Sequence, residues 1–195
     1  MIIGLTGKYC AGKNFIANIL QNRGFSILDL DTLGHSVIEE KKTEIFARFG
    51  EQIQNPDGSV NRKKLGKEVF GKPDELTALE TIVHPEVNRL TEKWITAQNG
   101  KNCIINAALL HKTSVFEKFD CIIIVNAPRL IRLIRAKRRD KLPWAVILKR
   151  FSSQKNFNTQ YSAGNADIYR VENSCCCTGK NLEKQIDVIL KKRTT

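Results

Sequence analysis

The sequence predicts an α/β fold in which helices cover a parallel sheet, and three segments near its start predict it. Met1 to Thr6 is a short apolar run that leads directly into glycine. Phe15 to Leu20 then places Phe15, Ile16, Ile19 and Leu20 at helical spacing and ends near Gly24. Phe25 to Leu30 is a second apolar run, closing on the acids Asp29 and Asp31. Strand, loop, helix and strand make a βαβ unit, whose two strands run parallel. Two later apolar runs, Cys103 to Asn106 and Cys121 to Asn126, are bounded by polar residues and suit strands buried on both faces. Asp167 to Val171 is a weaker fifth strand.

The remaining elements follow in order. Residues 33–100 lack a strong strand signal and read as a helical insertion. Within it, Asn55-Pro56-Asp57-Gly58 is a turn, and Val60 to Phe70 and Pro73 to Trp94 are helical. Pro128 suits the first position of a helix, because its missing N–H would have no partner there. Leu142-Pro143 breaks that helix, Trp144 to Phe151 resumes a helical pattern, and Asn181 to Leu190 forms the last helix. A length of 195 residues suits one domain with an insertion.

Charge narrows the choice of partner. The formal net charge is +12, and residues 129–155 carry ten basic side chains against the single acid Asp140, a net +9. An anionic ligand is expected: phosphates, nucleic acid or an anionic surface. The chain has no aromatic-and-basic stacking platform, so nucleic acid is not the expected partner. No apolar run approaches the length of a membrane span, and the N-terminus lacks the pattern of a secretory signal, so a cytoplasmic protein is expected. The six cysteines do not have disulfide spacing, and the Cys175–Cys177 triplet lacks the paired spacing of a metal site. His35, His84 and His111 are too scattered to add one.

The chemistry begins at Gly7-Lys8-Tyr9-Cys10-Ala11-Gly12-Lys13-Asn14, which fits G-x-x-x-x-G-K and departs at the next position. A loop between a strand and a helix can turn successive backbone N–H groups toward a phosphate, and the helix N-terminus adds positive potential. Lys13 reaches the β- and γ-phosphates in such a loop. Asn14 stands where Ser or Thr offers its hydroxyl to Mg²⁺. Its amide oxygen either ligates Mg²⁺, acts through water, or does neither. Arg132, Arg135 and Arg139 recur on one helix face, where they form either a phosphate clamp or a solvated basic surface. The fold class is therefore a P-loop NTPase three-layer sandwich with a five-stranded parallel sheet.

At this point the chain resembles the dephospho-CoA kinase family. The resemblance spans nearly the whole length. It rests on Ile3 to Gly7 leading into the loop, Leu28-Asp29-Leu30-Asp31, Asp57-Gly58-Ser59-Val60-Asn61-Arg62 and Leu79 to His84-Pro85, followed by Arg135 to Arg139-Asp140 and Gln154. The chain departs from the family at Asn14, at His35 (usually arginine), at Ala108 to Lys112 and near Phe157 or Asn158, where a lid arginine is expected.

The resemblance implies a core of residues 1–32, 101–137 and 160–195, a helical CoA-binding insertion over 33–100 and a helical lid over 138–159. It implies ATP and Mg²⁺ as cofactors, and transfer of the γ-phosphoryl group to the 3′-hydroxyl of dephospho-CoA. Asp31, Lys13 and Arg139 become the catalytic candidates, with Asp31 accepting the hydroxyl proton or else capping a helix. ATP falls to Gly7, Lys8, Tyr9, Cys10, Ala11, Gly12, Lys13, Asn14 and Phe15, with Arg135 and Arg139. Asp31, His35, Arg62, His84 and Pro85 fall to the substrate, although His84 also reads as a plain helix-start residue and Arg62 as an insertion-stabilising one. A monomer or weak oligomer is expected. The second reading, drawn from Asn14 and the altered lid, is a catalytically weak or repurposed nucleotide binder, or a kinase of another nucleotide-like acceptor.

Overall fold

The apolar runs expected to be strands are strands in the structure, a computed structural model that describes residues 1–154, 157, 161, 166–174 and 179–194. The Cys175–Cys177 triplet, Lys155 and Asn158 lie outside the described residues. The strands are β1 (Ile2–Gly7), β2 (Ser26–Asp29), β3 (Cys103–Asn106), β4 (Cys121–Asn126) and β5 (Asp167–Glu172). They form one five-stranded sheet in the order β2-β3-β1-β4-β5. β1 lies parallel to both β3 and β4, and β4 parallel to β5.

The helices are α1 (Lys13–Gln21), α2 (Leu30–Glu40), α3 (Lys42–Phe49), α4 (Arg62–Val69), α5 (Pro73–Ala97), α6 (Arg129–Asp140), α7 (Trp144–Ser152) and α8 (Gly179–Thr194). The chain divides into two compact units, Met1–Leu28 with Gln98–Thr195, and Asp29–Ala97.

In the first unit the pleat decides which side chains meet, since alternate residues of a strand face opposite ways. Ile3 and Leu5 of β1, Ile104 of β3 and Ile123 and Val125 of β4 pack with Ile16 and Leu20 of α1 and Ile186 of α8. Each such fully buried side chain contributes roughly 1.5–3 kcal/mol. On the opposite face Gly4 leaves room for a close neighbour: a Cβ there would sit 2.5 Å from Leu110 Cδ2. β5 has a single buried residue, Val171, which is why its sequence signal is weak. A smaller cluster joins α6 and α7 through Ala136, Ile147 and Phe151, packed with Tyr9 and Cys10. The break between these helices is Lys141, a left-handed residue at φ +53° that ends α6 ahead of Leu142-Pro143.

The second unit is helical and packs α2 to α5 on Val37, Ile45, Ile53, Leu65, Val83 and Val87. Its Asn55–Gly58 turn is tightened by Asp57, whose Oδ1 accepts from the Ser59 N–H at 3.0 Å and from its hydroxyl at 2.6 Å. Asn61 then caps α4, accepting from the Lys64 N–H at 3.0 Å, and so sets Arg62 as the first helical residue. Among the described residues no helix is long and apolar enough to cross a membrane.

Candidate functional site

The loop between β1 and α1 has the backbone of a phosphate cradle. Cys10 has φ +59° and Gly12 φ +100°, so left-handed residues alternate with others along Gly7 to Lys13. That alternation turns neighbouring amides toward one side. The Ala11 N–H donates to the Lys8 carbonyl at 2.9 Å, and the Phe15 N–H to the Gly12 carbonyl at 3.1 Å. Gly12 serves as the N-cap of α1, Lys13 is its first residue, and Asn14 and Phe15 are exposed on its first turn.

The outward carbonyls of the loop are held by three side chains. Arg132 Nη1 donates to the Tyr9 carbonyl at 3.4 Å, and Arg135 Nη1 to the Ala11 carbonyl at 3.3 Å. Asn173, just past β5, donates from Nδ2 to the same Ala11 carbonyl at 2.9 Å, and its Oδ1 accepts from Arg135 at 3.1 Å. Fixing these carbonyls fixes the peptide planes, and with them the direction of the amides. Arg132 is 8% exposed, stacks 4.7 Å from the Phe151 ring centroid and donates to the Ala127 carbonyl. The solvated-surface reading of Arg132 is thereby overturned: its guanidinium serves the loop backbone.

Tyr9 is the point where the loop meets α6 and α7. Its N–H donates to Gln154 Oε1 at 2.8 Å, its hydroxyl donates to Asp140, and Arg150 Nη1 donates to that hydroxyl at 3.2 Å. The Arg139 and Arg150 guanidinium groups lie 5.2 and 5.5 Å from its ring centroid, and the Phe151 ring meets it edge-on at 5.7 Å. Arg139 also donates to Asp140 at 2.7 Å. The Arg139 hydrogen bond, followed by that from Tyr9, holds the Asp140 carboxyl below the usual range, and the bond to Asp140 raises Arg139. Burial, then the Asp140 bond, pushes the Tyr9 hydroxyl up. Burial also pushes up the Cys10 thiol, which argues against a reactive thiolate in the loop.

In the second unit, β2 stops at Asp29, so Asp31 is not a strand-end residue as expected but lies in the first turn of α2. The helix cap is Asp29, whose Oδ1 accepts from the Thr32 N–H at 2.9 Å. Asp31 is exposed there, as is His35 one turn on. His84 is half-buried and Pro85 exposed inside α5, so His84 is a mid-helix residue rather than a helix start. Arg62 is exposed at the start of α4.

The sequence reading missed Asn173 and the role of Arg150. One general signal points to Asn173: ligands of open α/β sheets gather at the carboxyl ends of the strands, and Asn173 directly follows β5.

A 2-3-1-4-5 sheet with a phosphate loop after β1 and a basic pair of helices after β4 defines the P-loop nucleotide-binding class of small-molecule kinases. Within that class the chain belongs to the dephospho-CoA kinase family, whose model matches residues 1–174. It is 32% identical to the dephospho-CoA kinase of Treponema pallidum, with 98% of this chain and 95% of that protein covered. It is 34% identical to the dephospho-CoA kinase of Treponema denticola over 99% and 90%. A solved structure from Thermus thermophilus superposes with a TM-score of 0.83 at 29% identity, covering 98% of this chain and 97% of that one.

Proposed function

We propose that this protein transfers the γ-phosphoryl group of ATP to the 3′-hydroxyl of dephospho-CoA, giving coenzyme A and ADP in the cytoplasm. The family match over residues 1–174 carries this reading, and the phosphate loop supports it. In this reading the amides from Lys8 to Asn14 and the Lys13 ammonium hold the phosphates, Phe15 completes the first turn of α1, and Arg135 keeps the loop in shape. Arg139 supplies positive charge to the transferring phosphoryl group, the largest source of catalysis in such sites. Asp31, an exposed carboxylate, takes the proton of the attacking hydroxyl. His35, Arg62, His84 and Pro85 are the proposed acceptor contacts of the helical unit.

Mg²⁺ fits this donor set only in part. Asn14 offers a neutral hard oxygen, and no group of three His, Cys, Asp or Glu gathers among the described residues. Such a site suits an ion carried mainly by nucleotide phosphates and water, with the Asn14 amide as the proposed protein ligand. When bound, the ion would neutralise charge across the β- and γ-phosphates.

The test compares wild type with Asp31→Asn, given Mg²⁺-ATP and dephospho-CoA. ADP release should fall at least about 100-fold while ATP affinity is kept. Undiminished turnover in the variant would remove Asp31 from the base role.

A further inference from the structure

One cleft in the sheet-bearing unit lies beside the amide cradle. It has a volume of about 140 Å³ and is lined by Lys8, Arg129, Arg132, Phe151, Ser152 and Gln154. Three of those six are cations, and none has an ion-pair partner among the described residues. That lack is complete for side-chain carboxylates, because every Asp and Glu of the chain lies among the described residues. Arg132 is nearly buried, and its hydrogen bonds go to neutral carbonyls at Ala127 and Tyr9, which leave its charge uncompensated. The charges also oppose one another. Burial and then Arg132 pull the Lys8 amine below its ordinary value, and burial and then Arg129 pull Arg132 down.

An uncompensated cationic group of this kind is costly unless an anion completes it. We infer that the cleft bounded by Lys8, Arg129 and Arg132 is a second anion site, distinct from the amide cradle, that takes a phosphate group. Three convergent cations suit a dianion better than a single carboxylate, and arginine matches phosphate oxygens in pairs. The Phe151 ring gives the cleft an apolar wall, and Gln154 contributes a polar rim. Separation from the cradle follows from the lining: of the loop only Lys8 contributes, whereas the left-handed turn at Cys10 and Gly12 lies outside it. The phosphate has two sources, free orthophosphate or a phosphate group of an organic acceptor.

The test first fills the amide cradle with Mg²⁺ and a non-hydrolysable ATP analogue. Orthophosphate is then titrated by calorimetry into wild type, Arg129→Gln and Arg138→Gln. Both positions are exposed, so neither variant should disturb folding. Orthophosphate should bind with the analogue in place. Arg129→Gln should weaken it about tenfold, the loss of one charge-assisted contact, and Arg138→Gln should leave it unchanged. A second arm adds dephospho-CoA. If it displaces orthophosphate and is itself weakened by Arg129→Gln, the acceptor is the source; if orthophosphate stays bound, a free anion is. Displacement of orthophosphate by the ATP analogue, no binding at all, or equal losses in the two variants would each overturn the inference. All of these readouts are independent of turnover, so they stand or fall separately from the proposed reaction.

Discussion

Tyr9 ties the phosphate loop to α6, α7 and the residue Gln154 just after them through its amide, its hydroxyl and its ring at once. A bulky aromatic in a phosphate loop is affordable here because the ring has a place to go, against Phe151 and under two guanidinium groups. Tyr9→Phe keeps the ring and deletes the hydroxyl that joins Asp140 to Arg150. It should lower stability by about 1 kcal/mol in urea unfolding and speed amide exchange across α7. Asp140 adds a pH dependence whose sign is fixed. Its folded-state value is depressed, so its contribution is present above the ordinary carboxylate value near 4 and is lost as pH falls through the lower folded value. Trp144, stacked 5.4 Å from the Lys137 ammonium at the start of α7, reports on the clasp. In a Trp94→Phe background its fluorescence should hold steady from pH 7 to 5 and change below about 4. Asp140→Asn should remove that transition.

At the scale of elements, the helix starts show how much local chemistry was readable. The Asn-Pro-Asp-Gly turn and the first strand–loop–helix are written in short-range patterns, and short-range forces decide them. Asp29 and Asp31 were harder to separate, because both are acids beside a strand end and either could cap. The geometry gives the cap to Asp29. Asp29→Ala should therefore cost about 1 kcal/mol, read as a lower urea midpoint monitored by far-UV circular dichroism, whereas Asp31→Asn should cost little stability. Helix α6 inverts the usual pattern: Leu130 is 67% exposed while Arg132 is 8% exposed. Periodicity alone assigns the leucine to the core. The arginine wins the buried place because the Tyr9 carbonyl and the Phe151 ring lie on that side, and neither lies within reach of a local pattern.

At the scale of the whole molecule, the parallel sheet was legible because strands buried on both faces are apolar throughout. The order 2-3-1-4-5 was not, since nothing local to β3 or β4 says which side of β1 it takes. The site divided the same way. The loop motif could be read directly, because phosphate geometry fixes its spacing. Asn173 could not, because it meets Ala11 across a sequence separation of 162 residues. The product of the reaction is the most direct measurement. The protein is incubated with Mg²⁺-ATP and dephospho-CoA, and the product is analysed by mass and by phosphorus–carbon coupling in NMR. The expected products are ADP and a molecule with one new phosphate on the ribose C3′ oxygen. ATP consumed without that product, or no transfer across a wide range of both substrates, would contradict it.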